Sequence, residues 1–179
     1  MRTTRQNKIL VGIVVGSDSD LPVIHNTAKR LESFGINYHL TIASAHRSPA
    51  RVKQWIQNME KKGVEVFIAG AGGAAHLPGV VAAETILPVI GVPMPTIYLN
   101  GQDSLYSIVQ MPSGMPVATM AIGKAGAINA AILAAQILGR KYEPIANNLK
   151  KFKQELVQGV ERKANKLDKV GADDYLETM

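Results

Sequence analysis

At 179 residues the chain has room for one domain with a sizeable core and is too short for two of ordinary size. Hydrophobic residues at 46% against 19% charged set aside a disordered chain, and aromatics at 5% argue against an aromatic recognition surface. The net charge of +6 is spread along the chain, nine Lys/Arg against seven Asp/Glu in residues 140–179 and eleven against seven before them, with no dense basic block to track a nucleic acid.

The first two-thirds alternate short apolar runs with amphipathic segments, the pattern of an α/β domain with a parallel sheet. Residues 9–15 follow Arg2, Arg5 and Lys8 and have the look of a signal-peptide core, but they run into Ser17-Asp18-Ser19-Asp20 without a small-residue cleavage site, so a buried first strand is expected. Asp20-Leu21-Pro22 opens a helix whose Leu21, Ile24, Ala28 and Leu31 share one face and which Gly35 ends. A second strand is expected at 38–42, and a second helix from Ser48-Pro49 to about Lys62, stopped at Gly63. A third strand at 64–69 runs into Gly70-Ala71-Gly72-Gly73-Ala74-Ala75. A helix at 78–86, a strand at 89–92, a helical turn at 104–109 and a last strand at 117–122 follow. Gly123-Lys124-Ala125-Gly126 then leads into an Ala-rich helix at 127–138, whose small residues imply close packing on a sheet or a neighbouring chain.

From Pro144 to about Lys169 the chain is charged, with Ile145, Leu149, Phe152, Leu156 and Val160 at helical spacing. We expect residues 1–142 to form the catalytic domain and 143–179 a helical extension, its stripe covering either its own domain or another subunit. No apolar stretch is long enough to span a bilayer uninterrupted, and with no cysteine a soluble, cytoplasmic protein is expected.

In an open parallel sheet the ligand site lies beyond the carboxyl ends of the strands. Three loops meet that condition and should converge: residues 16–20, 44–49 and 70–79. In the first, backbone N–H groups with Ser17 and Ser19 can hold an anion and Asp20 can accept from sugar hydroxyls, while plain helix capping is the alternative. It is neither G-x-G-x-x-G nor a Walker A loop, and Gly123-Lys124-Ala125-Gly126 lacks that spacing too.

The second loop holds His46 beside Arg47. A strand end is a poor place for a core histidine, an imidazole there can take and give a proton, and Arg47 can grip a phosphate bidentately. A hydrogen-bonded structural histidine stays the alternative. In the third loop small residues let a flat ligand approach the backbone, and His76 is either a ligand contact or a helix N-terminal residue. His25 and His39 read as structural. Four histidines on separate elements, with no H-x-x-x-H spacing and no cysteine, give no metal site.

These loops carry a resemblance. Gly16-Ser17-Asp18-Ser19-Asp20, Ser44-Ala45-His46-Arg47-Ser48-Pro49, the stretch from Gly70 through Ala74-Ala75-His76-Leu77-Pro78 to Gly79, and Ser104-Leu105-Tyr106-Ser107-Ile108-Val109-Gln110-Met111-Pro112 resemble N5-carboxyaminoimidazole ribonucleotide mutase, the catalytic-subunit family of phosphoribosylaminoimidazole carboxylase. The likeness covers residues 9–139. Ser48 stands where many members have Thr, a harmless exchange at a helix cap.

The resemblance implies a flavodoxin-like αβα sandwich, a homo-octamer whose sites are completed by neighbouring subunits, and a step of de novo purine synthesis without cofactor, metal or ATP. His46 would protonate the ribonucleotide substrate so that CO2 leaves, and later take the proton from the ring carbon that recaptures it. Ser17, Asp20 and Arg47 match ribonucleotide-binding positions, with Ser19, Ser44, Ala45, Gly72, His76 and Leu77 expected around them. Direct carboxylation of aminoimidazole ribonucleotide by CO2 and a non-catalytic nucleotide-binding module are the rival readings.

Overall fold

The computed structural model describes residues 8–179; Arg2 and Arg5 of the signal-peptide reading lie outside them. Five parallel strands form the sheet: β1 (Val11–Val15), β2 (Tyr38–Ile42), β3 (Val66–Ala71), β4 (Val89–Pro93) and β5 (Ala118–Thr119), in the order β2-β1-β3-β4-β5. Between them run α1 (Leu21–Ser33), α2 (Pro49–Lys61), α3 (Leu77–Glu84) and α4 (Gln102–Val109), and α5 (Gly123–Gly139) and α6 (Glu143–Glu177) follow. This is the flavodoxin-like strand order, whose switch point lies between β1 and β3.

Side-chain alternation along the central strands splits the core in two. Ile13, Val15, Ile68, Ile90 and Val92 face α1, α5 and the start of α6, while Val14, Phe67, Ala69 and Val89 face α2, α3 and α4. The Ala-rich helix packs within its own chain: Ala127, Ala130, Ala131, Ala134 and Ala135 are fully buried, and α5 lies along α1. Small side chains let the two backbones approach until the Thr27 hydroxyl donates to the Ala127 carbonyl at 2.7 Å. The turn entering α5 is tighter still. A Cβ on Gly126 would stand 1.6 Å from the Ala121 carbonyl oxygen.

Several boundaries differ from the sequence reading. β3 starts at Val66 because the Val64 N–H instead donates to the Met59 carbonyl and closes α2 through Gly63, whose φ is +87°. It continues through Gly70-Ala71, small residues buried on both faces of a central strand. The last strand shrinks from 117–122 to Ala118–Thr119, and Gly123 already belongs to α5. α1 is preceded by a 3-10 turn at Asp18–Asp20, and α4 begins at Gln102.

The stripe of α6 has two fates. Ile145 is buried, Leu149 and Phe152 pack on the core, and the Phe152 ring meets Phe34 edge-on at 5.5 Å under the Arg30 guanidinium. Leu156, Val157 and Val160 are exposed. Gly171, with φ +80°, breaks the helix, and beyond it Thr178 accepts a hydrogen bond from Lys166 at 2.8 Å. Among the described residues no helix is long and apolar enough to cross a membrane.

Candidate active site

The loops after β1, β2 and β3 leave the sheet on one side and enclose a cavity of about 420 Å³. Each sequence-predicted site residue lines it: Ser17, Ser19 and Asp20 from the first loop, Ser44, Ala45, His46 and Arg47 from the second, Gly72, His76 and Leu77 from the third. A larger cavity, about 580 Å³, opens between β2 and α2 around His39, Arg51, Trp55 and Lys62. It contains none of these residues and lies off the strand-end loops. There the Trp55 indole N–H donates to His39 Nδ1 at 3.1 Å, and burial, with Lys62 nearby, lowers the His39 pKa. His39 is structural, and His25 is exposed on α1.

Ser17 caps the 3-10 turn by accepting the Ser19 N–H at 3.3 Å, and its hydroxyl also meets Asp18 and Ser19. The same turn presents Ser17, Ser19 and the Asp20 carboxylate to the cavity. Burial pushes the Asp20 carboxyl above its ordinary value; the Ser17 backbone works against this, Asp18 adds to it, and the Gly16 backbone again opposes it.

The second loop is a closed turn. The Ser44 N–H donates to the Ser48 hydroxyl at 2.9 Å, and the Ser44 hydroxyl accepts the Arg47 N–H at 3.2 Å. Ser48 occupies the N-cap position of α2 but makes no side-chain cap bond, so its hydroxyl ties the loop rather than the helix. Arg47 reaches across to the first loop, its Nη2 donating to the Gly16 carbonyl at 3.3 Å. A guanidinium held there could grip an anion bidentately beside the first loop.

The two histidines meet. His46 Nε2 lies 2.7 Å from His76 Nδ1, with the rings edge-on at 82° and centroids 4.9 Å apart. At that distance one proton sits between the two nitrogens, so one ring donates while the other accepts. The His76 backbone is the N-cap of α3 without a side-chain cap bond, and its ring lines the cavity against His46.

Sequence reasoning missed Pro95 and Thr96, which close the cavity from the loop after β4. The strand-end rule applied to the first three strands covers the fourth as well. It also gave the Ser104 block no role. Ser104, fully buried, accepts the Gly73 N–H at 3.0 Å and donates to the Met94 carbonyl at 2.8 Å.

The cavity can therefore hold a phosphate at Arg47 and the serine-lined turn, sugar hydroxyls at Asp20, and a flat ring against Ala45, Gly72 and Ala74, with an imidazole pair at its edge. Among the described residues no group of three or more His, Cys, Asp or Glu is placed to hold a metal ion.

Residues 10–159 match the family described as AIR carboxylase. The N5-carboxyaminoimidazole ribonucleotide mutase of Thermotoga maritima is 58% identical over 166 residues, 93% of this chain and 96% of that protein. The phosphoribosylaminoimidazole carboxylase of Saccharomyces cerevisiae is 50% identical over 170 residues, 95% of this chain but 29% of the yeast protein. The crystal structure of Treponema denticola PurE superposes with a TM-score of 0.81 at 31% identity, covering 88% of this chain and 98% of that one. With the family match spanning the whole sheet and all three loops, the chain belongs to the AIR carboxylase family.

Proposed function

We propose that the protein is an N5-carboxyaminoimidazole ribonucleotide mutase of de novo purine synthesis, an isomerase that moves a carboxylate from the exocyclic nitrogen to the C4 ring carbon. The observation that carries the reading is His46 lining one small-walled cavity together with the Arg47 guanidinium and the half-buried Asp20 carboxylate. Arg47, with Ser17 and Ser19, takes the phosphate; Asp20 accepts from the ribose; Ala45, Gly72 and Leu77 bound the ring. His46 gives a proton to the exocyclic nitrogen as its bond to the carboxylate breaks. CO2 leaves, and aminoimidazole ribonucleotide stays. The ring carbon attacks the retained CO2, and His46 takes the proton released from that carbon. One proton leaves and returns to the same imidazole, so the cycle needs no external acid or base. A snug apolar wall slows the escape of CO2.

Direct carboxylation of aminoimidazole ribonucleotide is the second reading, favoured by the fungal relatives named phosphoribosylaminoimidazole carboxylase. The chain spans less than a third of those proteins and nearly all of the Thermotoga mutase, which supports the mutase. A non-catalytic nucleotide-binding module is separated by His46→Asn. As an enzyme the variant keeps ligand binding and loses turnover by about 10²–10⁴-fold, the usual contribution of a general acid–base group. A wild-type rate in that variant would end the proposal.

The reading extends to a cytoplasmic homo-oligomer, an octamer, with residues 1–142 as the catalytic domain and 143–179 as an extension that starts on its own core through Ile145, Leu149 and Phe152 and from Leu156 onward packs on a neighbouring subunit. Its support is the apolar surface beside the site and along the tail: Ile97, Tyr98 and Tyr106 near the cavity and Leu156, Val157 and Val160 on α6 are all exposed. Light scattering at micromolar concentration tests it, a monomer being the contrary result.

A further inference from the structure

The wall that faces His46 is the segment from Gly70 to His76, and its conformation is unusual. Gly73 sits at φ +67°, and the next two amides fold tightly, Ala75 N–H onto the Gly73 carbonyl and His76 N–H onto the Ala74 carbonyl, both at 2.8 Å. Contacts two residues apart are poor hydrogen bonds and do not hold a loop by themselves. What fixes this one comes from α4, which contributes nothing to the cavity surface.

Ser104 is the link. Its hydroxyl oxygen accepts the Gly73 N–H at 3.0 Å while its proton goes to the Met94 carbonyl at 2.8 Å, at the end of β4. Both capacities of a fully buried hydroxyl are thus spent on joining the third loop to the strand beside it. Ser107 reaches the Gly73 carbonyl at 3.1 Å, but its single proton lies nearer the Asp103 carbonyl at 2.7 Å, so Ser104 is the stronger tie. The neighbouring Asp103 side chain accepts from Thr96 at 2.7 Å, and Thr96 accepts the Gly101 N–H at 3.0 Å. One turn of α4 therefore holds both segments, 70–76 and 95–96, that close the cavity opposite His46.

We infer that Ser104 is a positioning residue of the reaction: by pinning Gly73 it sets the small-residue wall and the His76 ring at the distance His46 requires. The inference rests on the mutase reading. Releasing the pin does not remove any group that binds the phosphate or ribose, since those lie on the first and second loops. It loosens the wall that retains CO2 between the two halves of the reaction.

The test compares wild type, Ser104→Ala and Gly73→Ala, each checked for folding by circular dichroism. N5-carboxyaminoimidazole ribonucleotide is the substrate, and both the carboxylated product and free aminoimidazole ribonucleotide are measured. Gly73→Ala attacks the same tie from the other end, by strain at positive φ with no atom within 4 Å of the added Cβ. For both variants we expect kcat about tenfold lower, KM within about threefold of wild type, and a larger fraction of substrate ending as free aminoimidazole ribonucleotide, a one-hydrogen-bond effect. Folded variants whose kcat and product partition match wild type would overturn the inference. If Ser104→Ala does not fold, Gly73→Ala decides alone. A wild type inactive on this substrate refutes the mutase reading itself, a result separate from either variant's behaviour.

Discussion

His46 and His76 stand thirty positions apart in the chain, yet Nε2 of one lies 2.7 Å from Nδ1 of the other. The contact joins the loop after β2 to the N-terminus of α3, on the two sides of the switch point between β1 and β3. It gives the His46 ring a fixed orientation and a partner whose tautomer must complement its own. His76→Ala is expected to lower kcat about 3- to 10-fold, the scale of one neutral hydrogen bond, with the substrate KM little changed. Steady-state kinetics check this. An unaltered kcat would show that the contact does not orient His46.

Asp20 carries a cost. Burial raises its carboxyl pKa, so the native state holds its proton more tightly than the unfolded chain does. Stability from this group is therefore highest below the ordinary carboxyl pKa and is lost as pH rises through the raised value. Asp20→Asn should leave the melting temperature at pH 7 unchanged or higher while weakening ribonucleotide binding by about 10-fold or more, as expected for a lost charge-assisted hydrogen bond. A calorimetric melt and a binding titration on the same sample measure both.

Glu65 behaves in the opposite sense at the far end of the sheet. Partial burial works to raise its pKa, but hydrogen bonds from Lys141, Tyr142 and Lys8 outweigh it and bring the value below the ordinary one. Its contribution is present above the unfolded glutamate pKa and is lost as pH falls through the lower folded value. The cluster fastens the turn between α5 and α6 to the start of β3. Glu65→Gln is expected to cost about 1 kcal/mol at pH 7, the upper range for partly exposed ion pairs, or about 2–4 °C in Tm. The difference should shrink in acid, and a gap unchanged at pH 3 would contradict the assignment.

Gly126 tests the packing of α5. A methyl there collides with the Ala121 carbonyl, a backbone atom that cannot swing aside. Gly126→Ala should destabilise the fold by about 3 kcal/mol or more, through overpacking against a rigid neighbour. Denaturant unfolding measures it, and a midpoint within error of wild type would show that the turn at 121–126 can open.

Much of this was legible from sequence because local patterns and the strand-end rule point the same way. The second strand appears at its expected residues, and α1 and α2 end at Gly35 and Gly63, both at positive φ. Where signals depended on distant partners the reading slipped. Gly70 and Ala71 look like loop residues, yet they complete β3 because the Met94 methyl occupies the space a Gly70 side chain would need. The helical pattern read from sequence stops at about Lys169, whereas the helix resumes after a break at Gly171, at φ +80°, and runs to Glu177, with Lys166 donating back to Thr178. The convergence of the three strand-end loops on one cavity was recognisable by position, whereas the imidazole pair and the Ser104 pin are contacts between segments about thirty residues apart, which no local spacing encodes.

The most direct test of the function is an assay of the purified protein with each substrate, in the absence of ATP and added metal. The account predicts conversion of N5-carboxyaminoimidazole ribonucleotide to the C4-carboxylated isomer at a rate far above that seen with aminoimidazole ribonucleotide and bicarbonate-supplied CO2 at comparable concentration. Efficient turnover of aminoimidazole ribonucleotide with CO2, and none of the N5-carboxylated substrate, would contradict it.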